Sequence, residues 1–448
     1  MEVILIKAAQ LILSLSILIV LHELGHFIPA RLFKTRVEKF YLFFDPWFSV
    51  IKKKVGDTEY GIGWLPLGGY VKISGMIDES MDKEQMAKPP KPWEFRSKPA
   101  WQRLIIMLGG VTVNFLLGFF IYSMVLYKWG DPYIANEDMK NGLVFSDFAK
   151  EIGFKDGDKI LSVDGEKIDR LDKYGKVVKM MAVRDEAFSV MVDRGGIVTE
   201  IKVGNNFIKG LTKKGRGQNF IDINLLPKNQ LIVASVQKNS NAESAGLLSG
   251  DIIVSVNDFE DKNQGYILMG KINRNKNKTI SLGVERSDSL IYLDVPVNKE
   301  GKIGFVFEQD VPKRSLDTFS FFASFPAGYK KTMFELENYI AQFGLMFNSD
   351  NELGGELGGF GAIGSMFPEK WNWLRFWELT AFLSIMLAFL NLLPIPALDG
   401  GHVVFLLYEM VVGKPAPEKV MEYAQVVGFV LLMSLVVYAN GNDILKLF

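Results

Sequence analysis

No cysteine occurs anywhere in the 448 residues. That excludes a disulfide framework and any thiolate metal site. A metal held by this chain must be held by His, Asp or Glu. Histidine is almost as scarce: His22, His26 and His402 are the whole supply. An excess of one charge is also missing. Lys plus Arg number 51 and Asp plus Glu number 51, which removes the electrostatic footprint of a nucleic-acid binder. Apolar sequence is what abounds, at 48% of the chain, gathered into a few long blocks. Such blocks indicate helices that cross a bilayer, and the length leaves room for a soluble insert as well.

Four spans are expected. The first covers residues 3–21 and runs on through a polar motif, with Pro29, Arg31, Lys34, Arg36 and Lys39 marking its exit. The apolar run reaches Phe33 without a small-x-small cleavage site, so it reads as a retained span rather than a signal peptide. The second covers residues 104–126, with Gly109, Gly110 and a lone Asn114 suited to close helix contact and an interhelical hydrogen bond. The third covers residues 379–393 and breaks at Pro394-Ile-Pro396-Ala-Leu-Asp399-Gly-Gly401; the fourth covers residues 424–438. Between the first two, residues 60–74 alternate and are punctuated by Gly61, Gly63, Gly68 and Gly69, the grammar of a short β-hairpin. Residues 315–347 suit an interfacial amphipathic helix, and residues 354–364 a glycine-rich bend at the membrane surface. Fourteen Lys or Arg lie from Arg31 through Arg103. The positive-inside rule places that loop in the cytoplasm and whatever separates spans two and three on the opposite side.

What separates them is an internal repeat. Ile152-Gly-Phe-Lys-Asp-Gly157-Asp-Lys-Ile-Leu-Ser-Val-Asp-Gly165 is echoed by Ala245-Gly-Leu-Leu-Ser-Gly250-Asp-Ile-Ile-Val-Ser-Val-Asn-Asp258. Gly157 and Gly250 are 93 positions apart, as are Gly153 and Gly246, and Val192-Asp-Arg194 returns 92 positions later as Val284-Glu-Arg286. Two copies of a domain of some ninety residues follow. The run A-G-L-x-x-G-D-x-I-x-x-V-N resembles PDZ domains, which take extended peptides onto a sheet edge; a pair of inert spacers is the plainer reading.

The chemistry sits in His22-Glu23-x-x-His26. On a helix the two imidazoles share a face and can take one Zn²⁺, with Glu23 beside them as general base. Ionisable groups in a membrane helix are costly, about 2.5–3.5 kcal/mol each at its centre for charged types, and invite a functional explanation. Catalytic zinc takes three protein ligands and keeps one position open. For the third ligand the residues offer Asp399 and His402 and favour neither; Asp399 would also serve as an ordinary turn or helix-cap acid.

Taken together, the membrane H-E-x-x-H, P-L-G-G-Y-V-K at Pro66 to Lys72, G-G-V-x-x-N-F-L at Gly109 to Leu116 and N-L-L-P-I-P-A-L-D-G-G at Asn391 to Gly401 resemble the site-2 protease family of intramembrane zinc metalloproteases. The resemblance covers essentially the whole chain. It implies a polytopic α-helical membrane protein with four transmembrane helices, a membrane-associated β-hairpin, and two tandem PDZ-like α+β domains inserted between helices two and three. The implied boundaries are 1–128, 129–222, 223–312, 313–371 and 372–448. It implies Asp399 as third zinc ligand beside His22 and His26, Glu23 as catalytic base, and Asn391, Pro394, Gly68, Gly69 and Tyr70 near the substrate. The implied substrates are single-span membrane proteins already trimmed in the periplasm, such as an anti-sigma factor, and leftover signal peptides. The implied setting is a bacterial inner membrane, with the PDZ-like pair in the periplasm and the active site toward the cytoplasmic leaflet. The sequence departs from the family's Gly-x-Gly at Phe43-Phe44-Asp45-Pro46, and reads Gly361-Ala362-Ile363-Gly364 where relatives carry G-P-[IV]-G. A different class, a PDZ-bearing membrane scaffold with an inert or structural metal site, would show the same repeat but no open metal position.

Overall fold

A computed structural model describes residues 2–66, 68–76, 89–139, 142–171, 187–205, 207, 230–262, 265–287, 289–308, 313–346 and 358–445. Leu67 of the expected hairpin, residues 354–357 of the glycine-rich bend, and the expected border at 222/223 lie outside the described residues. The chain forms two units. One comprises Met1–Asp131, Thr318–Gly344 and Gly354–Phe448; the other comprises Pro132–Asp317 and Leu345–Leu353.

The first unit is built on helices α1 (Glu2–Leu32), α2 (Ala100–Trp129), α3 (Phe321–Met346), α4 (Phe360–Ser365), α5 (Trp373–Leu392), α6 (Asp399–Val412) and α7 (Glu418–Leu445). Among the described residues, α1, α2, α5 and α7 are long and apolar enough to cross a bilayer. The first helix ends inside the exit marked by Pro29 through Lys39. The helix continues to Leu32, and the Phe33 N–H donates to the Pro29 carbonyl at 3.0 Å. Proline removes only its own donor, the one that would have closed on Gly25, and the following turn still pairs. By contrast, α5 stops where the residue before a proline must leave the helical region: Leu393 has φ −60° and ψ 144°. Gly413, left-handed at φ 76°, ends α6 and donates to the Glu409 carbonyl.

Close packing on α2 shapes the bundle. Gly25 of α1 and Gly109 of α2 meet backbone to backbone, and a Cβ on either would strike the other's carbonyl oxygen. Polar side chains finish the seams. Thr380 Oγ1 donates to Ser14 Oγ at 3.0 Å, Ser384 Oγ to the Asn114 carbonyl at 2.7 Å, and Arg103 at the start of α2 pairs with Glu409 near the end of α6.

A four-stranded sheet follows α1: β1 (Val37–Leu42), β2 (Phe44–Val55), β3 (Thr58–Leu65) and β4 (Tyr70–Ile73), in the order β2-β3-β1-β4. This corrects the hairpin expected over residues 60–74. The strands β3 and β4 do not pair with each other; β1 lies between them, parallel to β3 and antiparallel to β4. The reason is in β1. Tyr41, fully buried, stacks on Tyr70 at 5.3 Å, and Phe44 stacks on Tyr70 at 6.1 Å. The Gly68-Gly69 turn carries the chain past that stack. The true hairpin is β2–β3, turning at Gly56 with φ 61°. Val37, Ile73, Ala30, Ile106, Met107 and Val403 form one core that ties the sheet to α1, α2 and α6. Burying each larger apolar side chain contributes roughly 1.5–3 kcal/mol.

Among the described residues, the second unit holds two larger sheets beside a two-stranded pairing of Arg314–Asp317 with Asp131–Ile134. In the first, Glu166–Lys167, Lys159–Val163, Phe188–Arg194 and Ile197–Val203 follow one another across the sheet. In the second, the order is Ser289–Pro296, Thr279–Arg286, Ile252–Val256, Leu231–Val236 and Phe305–Phe307, with Phe259–Glu260 beside Ile252–Val256. Each has its own buried apolar core. The repeat seen in sequence is also a repeat of contacts. Arg194 grips the fully buried Asp158 through two bonds of 2.7 and 2.6 Å and donates to the Gly153 carbonyl. Arg286 grips Asp251 through two bonds of 2.7 Å and donates to the Gly246 carbonyl. In both copies these hydrogen bonds raise the guanidinium pKa. A backbone N–H from Lys155 or Leu248 completes each carboxylate.

Candidate metal centre

Among the described residues, one group of three has the spacing to hold a metal ion: His22, His26 and Asp399, with candidate ligand atoms within 4.8 Å of one another. Helix α1 supplies two of them from adjacent turns of one face. The third comes from the other end of the chain. The Pro394–Pro396 break re-aims the backbone so that α6 begins at Asp399. Its Oδ2 lies 3.3 Å from Nε2 of both His22 and His26, and the two Nε2 atoms are 3.2 Å apart. His402, the other candidate from sequence, is not part of this group.

The residues fit a metal. Asp399 Oδ2 is buried and makes no hydrogen bond although it faces two imidazoles. A buried carboxylate oxygen left without a hydrogen bond where two imidazole nitrogens converge is what a coordinating set provides and what a buried polar group otherwise avoids. The space is also kept open. A Cβ on Gly110 of α2 would strike His26 Nε2 and come within 2.5 Å of His22 Cε1. The glycine is therefore a cradle for both rings.

Around the triad, α2 supplies an orienting stripe at four-residue spacing. The Ile106 carbonyl accepts from His26 Nδ1 at 2.8 Å, Gly110 admits the rings, and the Asn114 amide lies 3.2 Å from His22 Nδ1. Sequence reading took Asn114 for an interhelical hydrogen bond and did not find its partner. The signal available was its spacing from Gly110.

The other candidate residues divide. Asn391, on the last turn of α5, brings Nδ2 to 3.4 Å from His22 Nε2, so it borders the centre. Pro394 follows the end of α5 and terminates it. The next turn is strained, with Ala397 at φ 79°, and its N–H donates to Gln425 of α7. Gly69 lies near Glu23: a Cβ there would meet Ile19 Cγ2 at 2.5 Å and the Tyr41 carbonyl at 2.7 Å, with Glu23 Cγ at 3.6 Å. Gly68 has φ 153° with the Phe44 ring against it. The Tyr70 side chain is engaged in the sheet, its hydroxyl donating to Asp45 Oδ1 at 2.9 Å. Burial first, then that bond, raises its pKa.

Residues 10–435 match the model of peptidase family M50. The chain belongs to that family, whose members are the site-2 proteases. It is 28% identical over 455 residues to the regulator of sigma-E protease of Escherichia coli K12, covering 98% of each chain. It is 27% identical over 456 residues to the protein of the same name in Haemophilus influenzae, covering 97% of this chain and 98% of that one. A Neisseria meningitidis protein provisionally named a zinc metalloprotease is 30% identical over 458 residues, covering 97% and 98%. The chain is thus a metalloprotease of the site-2 type, built on helices able to cross a membrane.

Proposed function

We propose that this M50 peptidase cleaves transmembrane segments of single-span proteins with one zinc ion held by His22, His26 and Asp399. The observation that carries the reading is the meeting of these three donors from opposite ends of the chain, around a buried Asp399 oxygen without a hydrogen bond. Bound zinc supplies Lewis-acid polarisation of the scissile carbonyl and makes water more acidic. Glu23, next to His22 on α1, takes the proton of the attacking water as the new C–O bond forms. It delivers that proton to the nitrogen as the C–N bond breaks.

A substrate helix hides its peptide groups in its own hydrogen bonds, so it must unwind to be cut. The strand β4 ends the sheet order, and Gly69, just before it, is placed so that a Cβ there would lie 3.6 Å from Glu23 Cγ. An unwound segment added to that edge would lie beside the base, with Asn391 from the other side bonding its backbone. This supports a substrate role for Gly68, Gly69 and Asn391, for the backbone rather than the side chain of Tyr70, and for Pro394 as the residue that ends α5 there.

The finer setting follows the relatives' names and the charge pattern. The chain resides in a bacterial inner membrane, with Arg31 through Arg103 cytoplasmic and the duplicated insert periplasmic. Its two copies are PDZ-like domains that screen or bind extended peptides. The substrates are anti-sigma factors already trimmed on the periplasmic side, in an envelope stress response, and remnant signal peptides.

The test is cleavage of reconstituted single-span substrates, full length and trimmed, by wild type and Glu23→Gln. The trimmed form should be cut, the full-length form spared, and Glu23→Gln should lose at least about 10²–10⁴-fold in rate while keeping zinc. Normal cleavage by Glu23→Gln would overturn the assignment.

A further inference from the structure

The two nitrogens of His22 have different neighbours. Nε2 faces Asp399 and His26. Nδ1 faces the side-chain amide of Asn114, fully buried on α2, at 3.2 Å. The far atom of that amide, Oδ1, makes no hydrogen bond. The nitrogen, Nδ2, is the end placed toward the ring, but among the described residues no partner on the far side fixes that choice, and the two ends are told apart only by what their neighbours require. The link from Ser384 of α5 runs to the Asn114 backbone carbonyl, so the contact made by the side chain is the one to His22 of α1.

His26 shows what the centre requires. Its Nδ1 faces the Ile106 carbonyl, which can only accept, so Nδ1 carries the proton and Nε2 is left with a lone pair. His22 must offer Nε2 in the same way, and its Nδ1 proton then needs an acceptor. We propose that Asn114 presents its amide oxygen to the Nδ1–H of His22 and so fixes the tautomer and ring orientation in which Nε2 is the metal ligand. Asn114 is a positioning residue for the metal centre. It does with a side chain what Ile106, two turns earlier on the same stripe, does with its backbone. The inference rests on the metal reading of the triad given above.

Asparagine, aspartate and leucine are close in shape but differ at this point: Asp can only accept, and Leu can do neither. The experiment measures Zn²⁺ affinity of the full-length, detergent-purified protein by chelator competition, together with the visible spectrum of the Co²⁺-loaded form. Asn114→Leu should weaken zinc by about 10–100-fold and shift the Co²⁺ bands. Asn114→Asp should bind at least as tightly as wild type with unchanged bands. Added to His22→Ala, Asn114→Leu should cost nothing further, because its effect runs through that ring; a further loss would mark general damage and overturn the inference. Wild-type affinity in Asn114→Leu, or equal loss in Asn114→Asp and Asn114→Leu, would overturn it too. Equal zinc binding by wild type and His22→Ala would instead remove the metal reading beneath it.

Discussion

Two aspartates of this chain with buried carboxylate oxygens behave in opposite ways. Asp251, like its counterpart Asp158, has both oxygens held by an arginine and a backbone N–H. Asp399 is only partly buried as a residue, yet its Oδ2 is buried, faces two imidazoles and makes no hydrogen bond. A carboxylate whose lone pairs are all satisfied has done its work in holding a fold. One left open at the meeting point of three donors is held ready for something else. The insert therefore uses its buried aspartates for structure, twice over, while Asp399 of the first unit has an oxygen left open beside two histidines.

That contrast can be broken or sharpened at several points. His26→Ala removes a ligand and the anchor to Ile106, and should abolish zinc binding and proteolysis together; metal analysis beside a cleavage assay checks it. Gly110→Ala should come next. Its methyl would occupy the space of both rings, so zinc affinity should fall by at least about tenfold in chelator competition, with the unfolding of the insert unchanged. Asp251→Ala should do the reverse. It leaves Arg286 without its partner and should destabilise the second copy by about 3 kcal/mol. The effect should appear as faster hydrogen exchange over Thr279–Arg286 in the full-length protein, with zinc content intact. The smallest effect is expected at Gly246→Ala. No atom blocks the methyl, but φ is 84°, and the left-handed backbone costs about 1 kcal/mol. Proteolysis of a trimmed substrate should be untouched.

Much of this was legible in the chain itself, for identifiable reasons. The pairing of His22 with His26 needs only helical periodicity. The repeat of Gly157-Asp158 in Gly250-Asp251 needs only a constant offset, although the arginines that clamp the aspartates stood in the echo without their role being visible. The choice between Asp399 and His402 was not legible from spacing, since a proline-broken turn can aim either residue inward; family resemblance pointed to Asp399, and it is the Asp399 oxygen that meets the histidines. The hairpin over residues 60–74 misled because adjacency in sequence suggests pairing, whereas the buried Tyr41 stack placed β1 between the two strands. Pro29 opens the exit of the first span, but the helix runs three residues past it to Leu32, because a proline near a helix end removes one hydrogen bond without ending the helix. Asn114 stood out as a polar residue in an apolar span, but its partner lies 92 positions away, and no local pattern reports that.

The central claim is that Asp399 completes a metal centre while Asp251 completes a fold. Zinc bound per protein, measured on full-length Asp399→Ala and Asp251→Ala purified alike, tests it most directly. The account predicts that the first loses its zinc and the second keeps the wild-type content. Wild-type zinc in Asp399→Ala would contradict it.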